Sequence, residues 1–497
     1  MKTKAKKLVP LILTALLVLS ILPMNVFAAQ IDAGSKASIT INNAVEHDVL
    51  AAYKVVDITY NATKNTLSHA WNSNFADYFA GTTDYNHTAY TVDAFAALTN
   101  DSDELKTLLA GLPKYISEKN IAPVGSTQTV AADKTATFSN LAMGEYFIRP
   151  TSTTSVYQLM LQKVEPTVVA GKYVIDDVTF SAKHKEVTVD KTADKTSVTK
   201  NEKVTYTITV EIPTYASQAV DKSFYVSDLL PDGLTIDTAS IKVKIDGAAV
   251  DTAAYTLDTT AVAEYTFKLS VSAAQYAARW SANGGKQLVI TYTATLNNND
   301  TTAVNVKETN TVTFDYSFYP YVENSHKQKT DTVDVTTFAI KIDKFVKNQE
   351  ANKLAGAKFD LYRTATQAEI DAGTSLEIPH TSIQGIKLEG DKVTDDNGAA
   401  TFAKYEANGT NYDYYLVETQ APSGYNLLDK AVTVNFTDAD VENTAGVYTV
   451  KVSNSSGIQL PITGGTGTVI FTIIGIALMV GAVVLFVVSR KKAKESK

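Results

Sequence analysis

The feature that most constrains the fold of this 497-residue chain is a two-residue alternation of apolar and polar side chains. It is clearest over 203–210 and 287–292, which are rich in threonine, valine and tyrosine. A period of two is that of a half-buried β-strand, and turn signals such as Pro231-Asp232-Gly233 separate the runs. Short strands at regular spacing are typical of immunoglobulin-like β-sandwiches. We therefore predict an all-β fold of tandem sandwich domains, with some helix over Val92–Leu109.

Both ends of the chain carry patterns that are typical of targeting signals. Four lysines precede the apolar run Leu8–Leu22, and Val26-Phe27-Ala28 has the small residues of a cleavage site, which predicts a signal peptide over 1–28. Near the other end, Val469–Val488 has no charge and is long enough to cross a bilayer as a helix. Basic residues follow this run, so we predict a transmembrane helix whose tail is cytoplasmic.

Composition excludes several classes of function. The chain has no cysteine, which excludes disulfides, thiolate metal sites and cysteine nucleophiles, and its net charge of −8 argues against a nucleic-acid partner. The six histidines lack metal-ligand spacing, and we interpret 395–398 as a hairpin turn rather than a calcium loop. No phosphate-binding loop or nucleophile elbow occurs in the sequence. We expect no cofactor, no metal and no enzymatic turnover.

Strand restarts at 186–189 and 333–342 indicate domain boundaries near residues 185 and 331. No Pro- or Gly-rich linker marks either boundary, so we expect rigid domains that abut directly. The predicted segments are a signal peptide (1–28), an N-terminal domain (29–185), a middle Ig-like domain (186–331), a C-terminal domain (332–458) and a sorting segment (459–497).

Polar side chains occur at core positions of the predicted strands in the two later domains. Residues two apart on a strand face the same way, so each of these side chains shares a face with apolar neighbours. The middle domain contributes Lys191, Asp228 and Asn310, and the C-terminal domain contributes Lys344, Glu418 and Asn454. Lys341 is an alternative to Lys344, although it lies out of phase with the apolar residues beside it. Burying a lysine or a carboxylate is costly unless it is paired or neutral.

This set of side chains suits the spontaneous formation of an intramolecular amide. Burial lowers the pKa of an amine and raises that of a carboxyl group, which gives a neutral amine beside a neutral acid. The amine can then attack the asparagine side-chain carbonyl while the acid transfers protons and ammonia leaves. The product is a Lys–Asn isopeptide bond between the first and last strands, formed once per site. The alternative is a buried ion pair with an asparagine that caps a strand end.

The C-terminal domain resembles the B-type (CnaB) repeat of the collagen adhesin in three segments, 354–359, 394–398 and 415–425. The last segment is similar to the pilin E-box, and this resemblance gives Glu418 the role of the isopeptide acid and Asn454 that of the reactive asparagine. The middle domain resembles the A-type (CnaA) isopeptide domains of Gram-positive backbone pilins, which use an aspartate. There the resemblance assigns Lys191, Asp228 and Asn310.

The segment Leu460-Pro461-Ile462-Thr463-Gly464, with the apolar run and basic tail behind it, resembles the LPxTG cell-wall sorting signal. The resemblance implies that a sortase cleaves after Thr463 and transfers its carbonyl to an amine. In backbone pilins this amine belongs to a lysine between the first two domains, usually in a Tyr-Pro-Lys segment. Neither tyrosine nor proline is present here, and the candidate acceptor is Lys183, which the alternation predicts to face solvent, with Lys185 as runner-up.

The chain as a whole resembles sortase-assembled Gram-positive backbone pilins, which implies a structural subunit of a covalently polymerised pilus. The implied partners are further copies of the chain, pilin-specific and housekeeping sortases, peptidoglycan, minor pilins and a host surface. The implied location is the cell wall, after transient membrane anchoring. The alternative function is a monomeric wall-anchored adhesin that binds a host ligand and uses the same domains as a stalk.

Overall fold

The computed structural model describes residues 31–457, except 33, 82–84, 86, 100, 101, 154, 298–305, 408–411, 442 and 443, together with a helix at 466–494. The predicted signal peptide and the segment Leu460–Gly464 lie outside the described residues. The strands of the N-terminal part are β1 (Lys36–Asn42), β2 (Val49–Asn61), β3 (Thr66–Trp71), β4 (Gln128–Thr129), β5 (Ala136–Ala142), β6 (Gly144–Ser152), β7 (Ser155–Tyr157), β8 (Met160–Val164), β9 (Thr167–Val169), β10 (Lys172–Val174), β11 (Val178–Ser181) and β12 (His184–Glu186).

The remaining strands belong to the middle and C-terminal parts of the chain. Those that precede the second predicted boundary are β13 (Val189–Ala193), β14 (Lys203–Glu211), β15 (Phe224–Leu229), β16 (Leu234–Ile245), β17 (Ala248–Ala249), β18 (Thr256–Asp258), β19 (Phe267–Val271), β20 (Gln287–Leu296) and β21 (Val306–Ser317). Those at or after it are β22 (His326–Val346), β23 (Gln349–Lys353), β24 (Lys358–Thr364), β25 (Leu376–Glu377), β26 (Gln384–Val393), β27 (Ala399–Tyr405), β28 (Tyr414–Gln420), β29 (Val432–Val434) and β30 (Val447–Asn454). The helices are α1 (Ala76–Phe79), α2 (Val92–Ala96), α3 (Asp103–Glu118), α4 (Ala273–Gln275), α5 (Gln367–Asp371), α6 (Asp438–Val441) and α7 (Thr466–Lys494).

The N-terminal part packs its helices against a sheet in which β2 is central. The strand order is β3-β2-β6-β8, and a second sheet has the order β11-β1-β5. Tyr53 and Val55 of β2 lie in the same apolar cluster as the helices, whereas Leu50 and Ala52 join the cluster around β1. The helix predicted over Val92–Leu109 is two helices, α2 and α3. The side chain of Ser102 starts the second by accepting a hydrogen bond from the Leu105 backbone N–H.

The middle part is a sandwich of two sheets that enclose one apolar cluster. One sheet has the order β13-β14-β20-β16-β17, and the facing sheet contains β18-β19-β15-β21-β22. The predicted alternation is clear on β14, where Val204, Tyr206, Ile208 and Val210 are buried and the residues between them are not. Alternation of this kind is what one strand of a half-buried sheet requires.

One long strand, β22, contributes to both the middle and the C-terminal cores. Its first half pairs with β21, from His326 opposite Ser317 to Thr337 opposite Val306. From Phe338 onward it pairs antiparallel with β27, and from Ala339 onward it also pairs in parallel with β30. The second sheet of the C-terminal part has the order β25-β26-β24-β28-β29. The boundary predicted after residue 331 therefore falls within a continuous strand.

The prediction of an all-β fold with sandwich domains is confirmed by these sheets. The transmembrane helix predicted at Val469–Val488 coincides with α7. Over the part of the chain that the structure describes, no helix has the length and apolarity to cross a membrane. The predicted membrane span stays a prediction.

Candidate functional site

The three polar residues predicted for the middle domain meet between the two sheets of the sandwich. Lys191 lies on β13 in one sheet, whereas Asp228 on β15 and Asn310 on β21 belong to the facing sheet. Lys191 is 3% exposed, and the other two are fully buried. The Lys191 backbone N–H donates to Asp331 Oδ2 on β22 at 2.7 Å, which fixes β13 across the open edge of the facing sheet.

A fourth side chain, Tyr292 on β20, connects these three. Lys191 Nζ contacts Asp228 Oδ2 directly. The Tyr292 hydroxyl donates to Asp228 Oδ1 at 2.8 Å and accepts from Lys191 Nζ at 3.0 Å and from Asn310 Nδ2 at 2.7 Å. Sequence reasoning missed Tyr292, because a tyrosine in phase with Ile290 and Ala294 is indistinguishable from an ordinary core residue. The sequence did offer one chemical indication, because a tyrosine at a core position needs a hydrogen-bond partner for its hydroxyl.

Burial shifts both ionisable groups of this middle site towards their neutral forms. It lowers the pKa of the Lys191 amine, against the opposing effect of the Asp228 carboxylate. It raises the pKa of Asp228, against the opposing effects of Lys191 and of the hydrogen bond from Tyr292. The rings of Tyr206 and Tyr292 lie 5.2 Å and 5.3 Å from Lys191 Nζ. A neutral amine is the form that can act as a nucleophile.

The C-terminal site is assembled by the parallel pairing of β22 with β30. Lys344 pairs with Val452 and Val346 pairs with Asn454, so Lys344 and Asn454 project from neighbouring strands on the same side. Glu418 comes from β28 in the facing sheet. The three side chains are at most 2% exposed. Lys344 Nζ contacts Asn454 Oδ1 and lies 2.9 Å from Glu418 Oε1.

Glu418 also holds the amide nitrogen of the asparagine. Asn454 Nδ2 donates to Glu418 Oε2 at 2.8 Å, to Glu418 Oε1 at 3.0 Å and to the backbone carbonyl of Asn426 at 2.7 Å. The Leu428 backbone N–H donates to Glu418 Oε2 at 2.9 Å. Burial lowers the pKa of the Lys344 amine. Lys341 is exposed on the other face of β22, so the structure brings Lys344, and not Lys341, to this site.

A tight turn at 395–398 supports the strand that carries Lys344. The sequence predicted a hairpin here, which is wrong, because β26 and β27 on either side of the turn belong to facing sheets. The Lys344 backbone N–H donates to the Gly398 carbonyl at 2.8 Å. Gly398 has φ of +70°, and a Cβ at this position would collide with the Lys344 carbonyl oxygen. Glycine is therefore required by both the backbone angle and the close approach.

The candidate acceptor Lys183 is exposed between β11 and β12. Its carbonyl accepts a hydrogen bond from the Gln158 backbone N–H at 2.9 Å, and β12 pairs with β7, which ties the segment to the N-terminal part. Lys183 also lines a cavity of about 550 Å³ whose other walls include Phe180 and Tyr321. The runner-up, Lys185, is exposed as well and forms an ion pair with Glu211 at 2.8 Å.

Two family models match the C-terminal part of the chain. Residues 339–452 match the SpaA prealbumin-like fold domain, which contains the candidate amine Lys344 and the candidate acid Glu418. Residues 452–495 match the LPXTG cell wall anchor motif, which supports a location at the cell surface, anchored to the cell wall.

Curated relatives include two surface proteins of Gram-positive bacteria. The chain is 28% identical over 357 residues to the fimbrial subunit type 1 of Actinomyces viscosus, which covers 63% of this chain and 65% of the relative. It is 24% identical over 363 residues to the trypsin-resistant surface T6 protein of Streptococcus pyogenes serotype M6, which covers 58% of this chain and 65% of the relative. The chain thus spans 65% of the length of both relatives.

Among solved structures, the T6 backbone pilin of Streptococcus pyogenes serotype M6 superposes with a TM-score of 0.55 at 20% identity. The match covers 82% of this chain and 81% of that chain, and at this identity it shows a shared fold. Together with the anchor motif and the named relatives, it confirms the resemblance to Gram-positive major pilins that the sequence motifs predicted.

Proposed function

We propose that this chain is the shaft subunit of a covalently polymerised pilus, in which a sortase joins Thr463 of one copy to Lys183 of the next. The observation that carries the proposal is the buried Lys–acid–Asn set in each of two consecutive domains. Lys183 precedes the first set in the chain, and Thr463 follows the second. Tension between these two attachment points would therefore pass through both sets and bypass most of the N-terminal part.

Each set would form one isopeptide bond without any enzyme. The contact of Lys344 Nζ with the Asn454 side chain supports attack by the amine, and the hydrogen bonds from Asn454 Nδ2 to Glu418 support proton transfer to the leaving nitrogen. In the middle domain the corresponding groups are Lys191, Asp228 and Asn310. The reaction consumes its own side chains, so the protein would be a structural subunit and a sortase substrate rather than an enzyme.

The mechanical value of these bonds follows from the loops that they close. The reacting residues are 110 positions apart in the C-terminal domain and 119 apart in the middle domain. By the chain-entropy relation used for disulfides, each closure stabilises the folded state by about 5 kcal/mol. A covalent tie between terminal strands also prevents the sandwich from extending under load.

The contrast between the two candidate acceptors favours Lys183. The Lys183 side chain is exposed and borders the cavity of about 550 Å³, whose lining does not include Lys185. An acceptor must present its amine to a sortase acyl-enzyme, so exposure beside an open cavity suits the role. The proposed partners are further copies of this chain, a pilin-specific sortase, a housekeeping sortase and peptidoglycan, with minor pilins as further components.

The proposal is tested by boiling cell-wall extracts in detergent and probing a denaturing gel for this chain. A ladder of high-mass bands is expected from the wild type and from the matched control Lys185→Ala, and monomer alone from Lys183→Ala. A ladder in both variants would refute Lys183 as the acceptor. A single monomeric band in the wild type would refute the shaft and favour the wall-anchored adhesin.

A further inference from the structure

We propose that Tyr292 is a catalytic residue of the middle site, which relays a proton between Asp228 and the leaving nitrogen of Asn310. This inference rests on the proposed isopeptide chemistry. Its basis is the chain of hydrogen bonds from Asp228 Oδ1 to the Tyr292 hydroxyl, 2.8 Å, and from that hydroxyl to Asn310 Nδ2, 2.7 Å. Among the described residues, no hydrogen bond links Asp228 to Asn310 directly. The tyrosine hydroxyl is therefore the connection between the acid and the amide.

The two oxygens of Asp228 face the two ends of the reaction. Oδ2 contacts Lys191 Nζ, the attacking nitrogen, and Oδ1 accepts from Tyr292, which contacts Nδ2, the leaving nitrogen. One carboxyl group can thus take a proton on one side and deliver a proton on the other. This arrangement suits general acid–base catalysis, which requires each group to lie within hydrogen-bond reach of the proton that it moves.

The step balances within these four side chains. It begins with a neutral Lys191 amine and a neutral Asp228 carboxylic acid, and the bond from Nζ to the Asn310 side-chain carbonyl carbon forms first. The attacking nitrogen then gives a proton to Asp228 Oδ2. The neutral acid carries its proton on Oδ1, so its hydrogen bond with Tyr292 then runs from Oδ1 to the tyrosine oxygen, the reverse of the direction that a carboxylate gives. Asp228 Oδ1 passes this proton to the Tyr292 oxygen as the tyrosine gives its own to Nδ2, which has a free lone pair once its carbon is tetrahedral. The carbon–Nδ2 bond breaks, ammonia leaves, and the acid and the tyrosine are both regenerated.

The surroundings keep Tyr292 suited to a relay rather than to ionisation. The residue is 1% exposed, and burial and the nearby Asp228 hold its pKa well above the usual value for tyrosine. A tyrosine that stays neutral can pass a proton only by accepting one as it donates another. Tyr206 packs against it with ring centroids 5.4 Å apart, and Phe267 contacts it edge-on at 5.2 Å, so two aromatic rings flank the path.

The C-terminal site shows why only the middle site needs a relay. There Glu418 reaches Asn454 Nδ2 directly, at 2.8 Å and 3.0 Å. Asp228 is shorter by one methylene group, and the Tyr292 hydroxyl occupies the position between its carboxyl group and the amide. The C-terminal site thus transfers the proton directly from the longer Glu418 side chain, whereas the middle site transfers it from the shorter Asp228 through the Tyr292 hydroxyl.

The test follows the intact mass of the full chain with time after cell-free synthesis, for the wild type, Tyr292→Phe and Tyr276→Phe. Tyr276 is the matched control, because it is a buried tyrosine of the same domain whose hydroxyl donates to the Pro213 carbonyl at 2.7 Å and not to a residue of the site. The wild type and Tyr276→Phe should each lose two ammonia molecules. Tyr292→Phe should lose one promptly and the other about 100-fold more slowly or more, the usual contribution of general acid–base catalysis.

The outcomes separate this inference from the proposed function. Loss of no ammonia by the wild type would refute the isopeptide chemistry as a whole. Loss of two by the wild type and two at an unchanged rate by Tyr292→Phe would refute the relay alone. The buried Trp280 of the middle domain reports by fluorescence whether Tyr292→Phe has folded.

A second measurement requires no substitution. Rates of ammonia loss by the wild type in mixtures of light and heavy water should depend on the deuterium fraction along a curve for the middle site, because the relay moves two protons together. The C-terminal site, with its direct transfer, should give a straight line. Straight lines at both sites would overturn the relay.

Discussion

The substitution Glu418→Gln removes the acid of the C-terminal site while it leaves the size of the side chain almost unchanged. The amide can still contact Asn454 and the Leu428 backbone N–H, but it cannot transfer protons between Lys344 and the leaving nitrogen. We therefore expect the C-terminal domain to fold without its isopeptide bond. The mass of the variant should show the loss of one ammonia, from the middle site, where the wild type loses two.

The cost in stability follows from the loop that is no longer closed. The two reacting residues are separated by 110 positions, which corresponds to about 5 kcal/mol of lost constraint on the unfolded state. For a domain of this size, a loss of about 5 kcal/mol lowers the midpoint of thermal unfolding by about 20 °C. The Lys344 amine also loses its buried carboxylate partner, which adds to the cost, because a buried polar group left without its partner is destabilising.

The assay combines intact mass with calorimetry on the full chain, and Glu377→Gln is the matched control. Glu377 lies on β25 of the same domain and is exposed, so its replacement should change the free energy of unfolding by less than about 0.5 kcal/mol. If Glu418→Gln retained the mass of a doubly linked chain, the role of Glu418 as the acid would be refuted. An unlinked variant that unfolds at the wild-type temperature would refute the argument from loop closure.

Two further predictions concern the C-terminal domain. Burial and the nearby Glu202 raise the pKa of Glu406 to about 7, so the folded state keeps a proton that the unfolded state releases near pH 4.5. The free energy of unfolding should be highest at about pH 4 and should fall by up to about 3 kcal/mol by about pH 8 in unfolding titrations. Glu406→Gln should flatten this decline, and an equal decline in both chains would contradict the assignment of the pKa to Glu406. Gly398→Ala should lower the midpoint of thermal unfolding by more than Gly356→Ala does. Both glycines have positive φ, but only at position 398 would the new methyl group lie against the Lys344 backbone. Equal shifts would show that the collision is relieved at no cost.

The two candidate sites could be located from the sequence because a buried charge breaks an otherwise regular pattern. Lys191, Asp228 and Glu418 each occupy a strand position that the alternation reserves for apolar residues, and the structure buries all three. Tyr292 could not be found this way, because a tyrosine counts as apolar in the alternation and its hydroxyl does not interrupt the pattern. Its part in the site depends on which strand of the facing sheet lies opposite, which is a property of the tertiary fold.

The fold class was predictable from the periodicity, whereas the exact bounds of the strands and helices were not. The first residues of β22, from His326 onward, are largely polar, and the sequence therefore suggested that the strand began near Val333. In the structure these residues pair with β21 at the rim of the sandwich, where backbone hydrogen bonds rather than burial extend the strand. The break between α2 and α3 depends on the cap at Ser102, which short-range apolar spacing does not report.

The decisive test of the shaft is tandem mass spectrometry of peptides from purified wall polymer of the wild type. A shaft joined at Lys183 predicts one branched peptide in which the Thr463 carbonyl is joined to Lys183 Nζ of a second copy, with linked pairs Lys191–Asn310 and Lys344–Asn454 in the same digest. A junction at another lysine would contradict the assignment of the acceptor. The absence of any branched peptide ending in Thr463 would contradict the shaft.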